Sequence, residues 1–387
     1  IYMSQYFGAD DREGMRQALR FKIIAAGFTG ILYIFTCMGI PRTVHSWMVI
    51  GNTQAKEILD QGSRYMFLMG FMGVPVTVSM ILASSMREIG DVKTPLVITV
   101  IATLLNTFFN WVLIYGRLGA PALGVSGAAY ATLIARTVEM VLFLAVTARK
   151  RPPFSVPPRE LIRVDLRLFR KILRKGLLVM CTEMAWVLYE TVTTALYNGR
   201  GGADVVSGMA ASFAIANLFF IAFSGITTAT GVLLGRTLGS GDLEKAKKQK
   251  DWLLTAAFLF GLIMTAVGLL TVLLIPVVFG ALSENALAIS RNMVVFLSFF
   301  MPAWVYENAQ MAVGRAGGDA AMGVWTDTSI TLIVQLPLAF LLALFTPVGP
   351  VEMYMLIKVA DLVKIAFSYF WLKKGRWLHC LAQPEME

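Results

Sequence analysis

The sequence predicts an all-α polytopic membrane protein, built as two six-helix bundles related by a pseudo-two-fold axis along the membrane normal, with ten complete spans in this chain. Three observations carry that reading. Of 387 residues, 57% are hydrophobic and only 15% charged, against roughly 25% charged in a soluble domain. The apolar residues fall in runs near the ~20 residues that a helix needs to cross a bilayer. A basic linker at 149–175 then separates two halves that repeat the same landmarks. Lipid offers no partners for open backbone groups, so each run is expected to be helical.

Residues 1–7 read as the tail of a helix, followed by the polar turn Gly8-Ala9-Asp10-Asp11. Arg12, Arg16, Arg20 and Lys22 lead into an apolar run ending near Ile40, the first full span. Residues 42–64 form a longer polar connection with a short amphipathic piece at 55–59. A second span at 65–86 is closed by Arg87-Glu88-Ile89-Gly90-Asp91, where a helix-ending glycine and an acidic N-cap specify a tight turn. Spans at 95–115 and 126–148 complete an N-lobe, 1–148. The linker carries Arg149, Lys150, Arg151, Arg159, Arg163, Arg167, Arg170, Lys171, Arg174 and Lys175 around Pro152, Pro153, Pro157 and Pro158. A C-lobe, 176–387, is expected to hold six spans, at 176–197, 206–234, 252–279, 290–313, 321–345 and 350–372. Lys373, Lys374 and Arg376 stop the last of them.

Gly8, Asp11 and Glu13 recur as Gly239, Asp242 and Glu244, and Arg87, Gly90 and Asp91 recur as Arg315, Gly318 and Asp319, at nearly one offset. Internal repeats of this kind are a feature of secondary transporters. Carried back from Gly176, the offset falls before Ile1, so two further helices are expected upstream and twelve in all. Alternate loops hold roughly 25 Lys and Arg against roughly 6 in the opposite set, which places the linker and the C-terminus in the cytoplasm.

The net charge of +10 sits in loops between apolar runs, where anionic headgroups account for it. No nucleic-acid partner is expected. Cys37, Cys181 and Cys380 have no metal-ligand spacing, and His45 and His379 are too few and too far apart for a catalytic or metal constellation. Nothing supplies enzyme chemistry or calls for a cofactor.

Polar residues inside the spans are the candidates for function. Asn106 and Asn110 lie one turn apart on one helix face, either as interhelical glue or as the wall of a polar transport cavity, with Thr132 as a further hydroxyl. Glu183 and Glu190 are seven residues apart on one face, Glu307 lies deep in its span, and Asp327 lies nearer the cytoplasmic end. A carboxylate in a span costs ~3 kcal/mol to insert, which disfavours a lipid-facing position. Each is either a structural ion pair or a coupling site. Lys358, Asp361 and Lys364, and Arg136 with Glu139, have the i, i+3 spacing of internal ion-pair ladders. Met69, Met72, Met80, Met180, Met184, Met301 and Met311 suit either plain packing or a cavity that accepts many shapes.

The order Arg87, Gly90-Asp91, Pro95, Asn106, Asn110, Leu113-Ile114, Gly116, then Pro121-x-Leu-Gly-Val-x-Gly-Ala-Ala-x-Ala-Thr-x-x-Ala-Arg136, resembles the multidrug and toxic compound extrusion (MATE) family. The second half agrees through Leu238-Gly-x-Gly-Asp242, Arg315-Ala-Gly-Gly-Asp319, Asp327 with Pro337-Leu-Ala339, Lys364 and Trp377. The resemblance covers essentially the whole chain. It implies a twelve-helix, two-lobe antiporter, a monomer in the cell membrane, that exports organic cations and other amphipathic compounds in exchange for protons or sodium. Such proteins commonly pair a first-helix aspartate with an Asn and an Asp one turn apart on the fifth helix. Asn106 matches that Asn, but Asn110 stands where the Asp would be. Glu183, two residues after Cys181, is similarly placed to the seventh-helix glutamate used for coupling, and is the expected coupling carboxylate and candidate sodium ligand. The alternative is a flippase for lipid-linked saccharides of the same superfamily. That reading calls for several arginines in the cleft, and the first-half spans offer Arg136 and little else.

Overall fold

In a computed structural model, residues 2–48, 55–161, 163–200 and 202–382 are described. Among them all regular structure is helical. The chain divides into two compact units, Asp11–Phe169 and Ile1–Asp10 with Arg170–Glu387. The sequence reading assigned residues 1–148 to one lobe. The first ten residues instead lie with the second unit, and glycine explains how. Helix α1 (Tyr2–Gly8) lies against α9 (Ala203–Gly239), and a Cβ at Gly8, Gly235 or Gly239 would collide with the facing chain.

The Asp11–Phe169 unit is built from α2 (Arg12–Ile34), α3 (Pro41–Met48), α4 (Ala55–Gly70), α5 (Gly73–Glu88), α6 (Lys93–Tyr115) and α7 (Val125–Lys150). Asp11 caps α2 by accepting from Gly14 N. A bent pair, 52° at its break, joins α4 to α5. Gly116, at φ 67°, ends α6 in the left-handed region that favours glycine. The basic linker is shorter than expected as irregular chain, because α7 runs to Lys150 and α8 (Leu166–Arg200) begins well before Gly176. It is seated on α2. Arg20 donates to Glu160 O at 3.0 Å and Gln17 to Arg163 O at 3.3 Å, and Phe154 is fully buried.

The larger unit is organised around α11 (Glu284–Ala316), which carries the longest series of buried residues and touches both α9 and α10 (Leu243–Val278) extensively. One core joins Tyr189, Tyr197, Phe219, Met293, Met301 and Tyr354, and a second joins Leu234, Leu254, Val305, Val313 and Trp377. The helical run Ala320–Phe345 starts as α12 (Ala320–Gly323). It widens to π-helix at Val324–Thr328 and Thr331–Gln335 before α13 (Leu336–Phe345). α14 (Pro350–Val359) and α15 (Asp361–Lys373) follow, broken at Ala360.

Seven of the described helices are long and apolar enough to cross a membrane, or eight counting the bent α4–α5 pair. The ten expected spans also included α8 and the α14–α15 pair. α8 is long, but Glu183 and Glu190 interrupt the apolar stretch that follows its basic first turns; the last pair is interrupted at Ala360 between Lys358 and Asp361. Outward apolar side chains agree with a lipid setting. Leu270, Leu273 and Val277 of α10 are 64%, 72% and 80% exposed at helical spacing, a stripe that a water-soluble surface avoids.

The repeat is visible in backbone geometry. Asp11 accepts from Gly14 N at 2.9 Å and Asp242 from Lys245 N at 3.0 Å. At the other landmark, Gly90 N donates to Arg87 O and Gly318 N to Arg315 O, both at 2.9 Å. Gly90 and Gly318 adopt φ of 90° and 76°.

Candidate functional site

Sequence reasoning singled out isolated carboxylates, and the larger unit gathers several of them with partners from distant helices. Lys364 of α15 donates to Asp327 Oδ1 at 2.9 Å and lies 3.2 Å from Asp361 Oδ1. Asp361 also accepts from Trp304 Nε1 at 2.9 Å and from Gln335 Nε2 at 2.8 Å. Lys364 and Asp361 are buried, and Asp327 is half-buried. Asp327 and Gln335 come from the two π-helical stretches, a geometry frequent at functional sites. Glu307, one turn beyond Trp304, is 9% exposed and interacts electrostatically with Asp361, Lys364 and Asp327. Among the described residues it makes no hydrogen bond or ion pair.

A second charged group lies on α8 and α14. Lys358 Nζ reaches Glu190 Oε1 at 3.1 Å and sits 5.0 Å and 5.4 Å from the ring centres of Tyr189 and Tyr354, close enough for cation–π attraction. Glu190 is therefore held in an ion pair. The Glu183 side chain is 56% exposed, and its Oε1 accepts from Arg315 Nη2 at 2.8 Å. Among the described residues no three of His, Cys, Asp and Glu gather closely enough to hold a metal, and Glu183 has a guanidinium as its neighbour.

In the other unit, Asn106 Nδ2 donates to Thr132 Oγ1 at 3.2 Å, joining α6 to α7, and Asn110 Nδ2 donates to Asn106 Oδ1 at 3.0 Å. Thr132 Oγ1 in turn donates a hydrogen bond to Ala128 O. This is the geometry of interhelical glue, although Asn110 Oδ1 is buried with no partner among the described residues. Arg136 and Glu139 pair at 2.7 Å as their spacing predicts, with Thr99 donating to Glu139 at 3.3 Å.

Of the seven sequence candidates, Glu307 and Asp327 share one cluster, Asn106, Asn110 and Thr132 share another, and Glu183 and Glu190 hold separate ion pairs. Sequence reasoning missed Trp304, Gln335 and Arg315 as partners. The available signal was the rule that a charge inside a span must find a partner, which directs attention to every polar side chain on neighbouring spans.

The MatE family model matches residues 1–112 and 179–341. The chain belongs to the MatE family. That makes it a multi-pass membrane transporter and not an enzyme. It is 26% identical over 321 residues to a probable multidrug resistance protein NorM of Halalkalibacterium halodurans, covering 82% of this chain and 69% of that one. A probable NorM of Thermotoga maritima is 23% identical, covering 97% and 80%. Among solved structures, a MOP superfamily transporter from Pyrococcus furiosus, whose binding pocket is described as reversed in polarity, superposes with a TM-score of 0.83 at 21% identity. An outward-facing MATE transporter gives 0.80 at 20%. These two cover 97% of this chain and 82% or 81% of theirs, and at such identities they establish the fold.

Proposed function

We propose that this MatE protein is a secondary active multidrug antiporter that exports organic cations or other amphipathic compounds across the cell membrane in exchange for protons or sodium. Ten spans in two bundles, with the linker and C-terminus cytoplasmic, complete the reading. Names of the NorM relatives support the drug class. The observation that carries the coupling is Glu307. An ionised carboxylate buried in a membrane helix without a partner is costly, so the site calls for a cation. Drug, sodium and proton would then compete for it, and alternate occupancy is how one site couples two ligands. Asp327, Asp361 and Lys364, with Lys358 beyond them, set the field around it: Glu307 feels both ammoniums but forms no ion pair with either among the described residues. Glu183 is the second candidate, at the accessible position where Arg315 competes with any incoming cation.

The test is transport of a fluorescent organic cation by the protein in vesicles, under separate proton and sodium gradients. Glu307→Gln keeps size and removes charge. Export in that variant should fall at least tenfold while the protein still inserts and runs at its normal size on gel filtration. Glu183→Gln should cost less, because its loss also frees Arg315. Equal, gradient-dependent export in Glu307→Gln would move the coupling site elsewhere, and loss confined to Glu183→Gln would restore Glu183 as its centre. Export driven by neither gradient would overturn the antiporter reading itself.

A further inference from the structure

Lys358 of α14 is a cation held as a ligand would be. Its Nζ lies 3.1 Å from Glu190 Oε1 and 5.0 Å and 5.4 Å from the ring centres of Tyr189 and Tyr354. A carboxylate and two aromatic rings around one charge is the arrangement by which proteins recognise alkylammonium groups, and burial of both charged side chains strengthens the attraction to the rings. The rings are themselves held in place. Tyr354 is buried and meets Tyr197, Phe213 and Phe296 edge-on, at 5.7, 5.8 and 6.2 Å between ring centres. All of these residues lie within the Arg170–Glu387 part of the larger unit, on α8, α9, α11 and α14.

Stability alone does not account for the pair. Burying two opposite charges is costly, and apolar residues of the same volume often serve a fold as well or better. The hydroxyls of Tyr189 and Tyr197 are buried with no hydrogen-bond partner among the described residues, so polar groups beside the pair are left unanswered by the surrounding side chains. The ammonium is also free to be replaced. Lysine carries a point charge on a flexible stem, and Asp361, three residues along the chain, attracts the same charge. Lys358 withdrawn from Glu190 therefore keeps an acidic partner.

We propose that Glu190, Tyr189 and Tyr354 form a binding site for the alkylammonium head of an organic cation, and that Lys358 is a tethered stand-in which that head displaces. The incoming charge lies against the two rings with Glu190 as its counter-charge, and Lys358 turns toward Asp361. The ligand class rests on the reading of the protein as an exporter of organic cations, but the site needs neither a gradient nor the coupling role of Glu307.

Benzyltrimethylammonium is the probe, titrated calorimetrically into the purified protein in dodecyl maltoside, a detergent without an ammonium group, with neopentylbenzene as its uncharged carbon isostere. Lys358→Met removes the competing charge, so affinity for the probe should rise about tenfold, the scale of a cation–π contact combined with an ion pair. Adding Glu190→Gln should take that gain back. Lys358→Gln, which can still donate to Glu190, serves where Lys358→Met does not fold, with a smaller gain in the same direction. A pair that only joins α8 to α14 gives no gain in either variant, and that result overturns the site, as does a gain that survives Glu190→Gln or binding of neopentylbenzene equal to that of the probe. The outcome separates from the transport reading. Gradient-driven export with no tightening in the Lys358 variants removes the cage and leaves the antiporter, whereas tightening in a protein that exports under neither gradient upholds the cage and removes the antiporter.

Discussion

The turn between α5 and α6 and the turn between α11 and α12 are built on one backbone plan and serve different chemistry. Asp91 N donates to Met86 O at 2.9 Å and Asp319 N to Gly314 O at 3.0 Å, and each aspartate then caps the next helix. Beyond the backbone the two part company. Asp91 is tied to Lys150 at 2.9 Å, and Asp319 accepts from the Trp371 indole at 2.8 Å. Arg315 holds the Glu183 carboxylate, and Arg87 makes no ion pair among the described residues. A repeat of this kind preserves what main-chain hydrogen bonding requires and leaves the side chains inside the spans free to diverge. The result is one unit whose span interior gathers Asp327, Asp361, Glu307 and Lys364, and another that joins its helices by the amides of Asn106 and Asn110 and also holds the ion pair of Arg136 with the buried Glu139.

The largest expected effect follows from the ionic side of that contrast. Lys364→Met takes the hydrogen-bonded ammonium from Asp327 and the nearest one from buried Asp361, and breaking a buried pair by removing one partner costs about 3–5 kcal/mol. A large drop in thermal stability by fluorescence-detected gel filtration is expected, with little protein surviving at elevated temperature. The double variant Lys364→Met with Asp327→Leu should recover part of that stability, because it removes one of the orphaned charges. A Lys364→Met protein as stable as the parent would mean that the ammonium is not what compensates these carboxylates, and the contrast between the two units would lose its energetic meaning.

The neutral side should respond weakly. Asn106→Ala removes one hydrogen bond to Thr132 and one from Asn110, and interhelical hydrogen bonds in membranes contribute only about 0.6–1.7 kcal/mol. A small fall in melting temperature with export reduced less than threefold is expected in the vesicle assay. A tenfold loss of export with unchanged stability would show that the amides line a transport path rather than join helices.

What the sequence revealed follows the range of the interactions. Helix positions came from apolar runs, and Arg136–Glu139 and Asp361–Lys364 came from i, i+3 spacing, because these are set within one helix. The same spacing misled for Lys358, which was read as part of the ladder and instead reaches Glu190 on α8. Partners of Glu183 and Asp327 lie 132 and 37 residues away in the chain, and no local pattern encodes such meetings. The docking of α1 on α9 was equally hidden, since it depends on glycines that permit contact without naming the surface contacted. Both π-helical stretches were invisible as well, because their composition is that of an ordinary apolar span.

The smallest effect lies at the loop where the unit with the amide network is tied by charge. Asp91 accepts from Thr94 N at 3.1 Å, Thr94 Oγ1 at 2.7 Å and Lys150 Nζ at 2.9 Å. Burial alone would raise its pKa, but the bonds from Lys150 and Thr94 outweigh it and hold the carboxyl below its ordinary 3.8. A carboxylate whose folded pKa is depressed stabilises the fold fully above the unfolded value, and that stability is lost as pH falls through the folded one. Asp91→Asn keeps an oxygen to cap α6 and removes only the charge, so near neutral pH it should cost about 0.5 kcal/mol, the scale of a partly exposed ion pair. The difference in melting temperature between parent and variant should shrink as pH is lowered past 3.8, the ordinary carboxylate value, and vanish below the folded pKa. Raising salt near neutral pH should shrink it too, through screening of the Lys150 pair. A gap that persists unchanged at low pH and high salt would show that Asp91 acts through turn geometry alone, which would make the two repeated turns more alike than their side chains suggest.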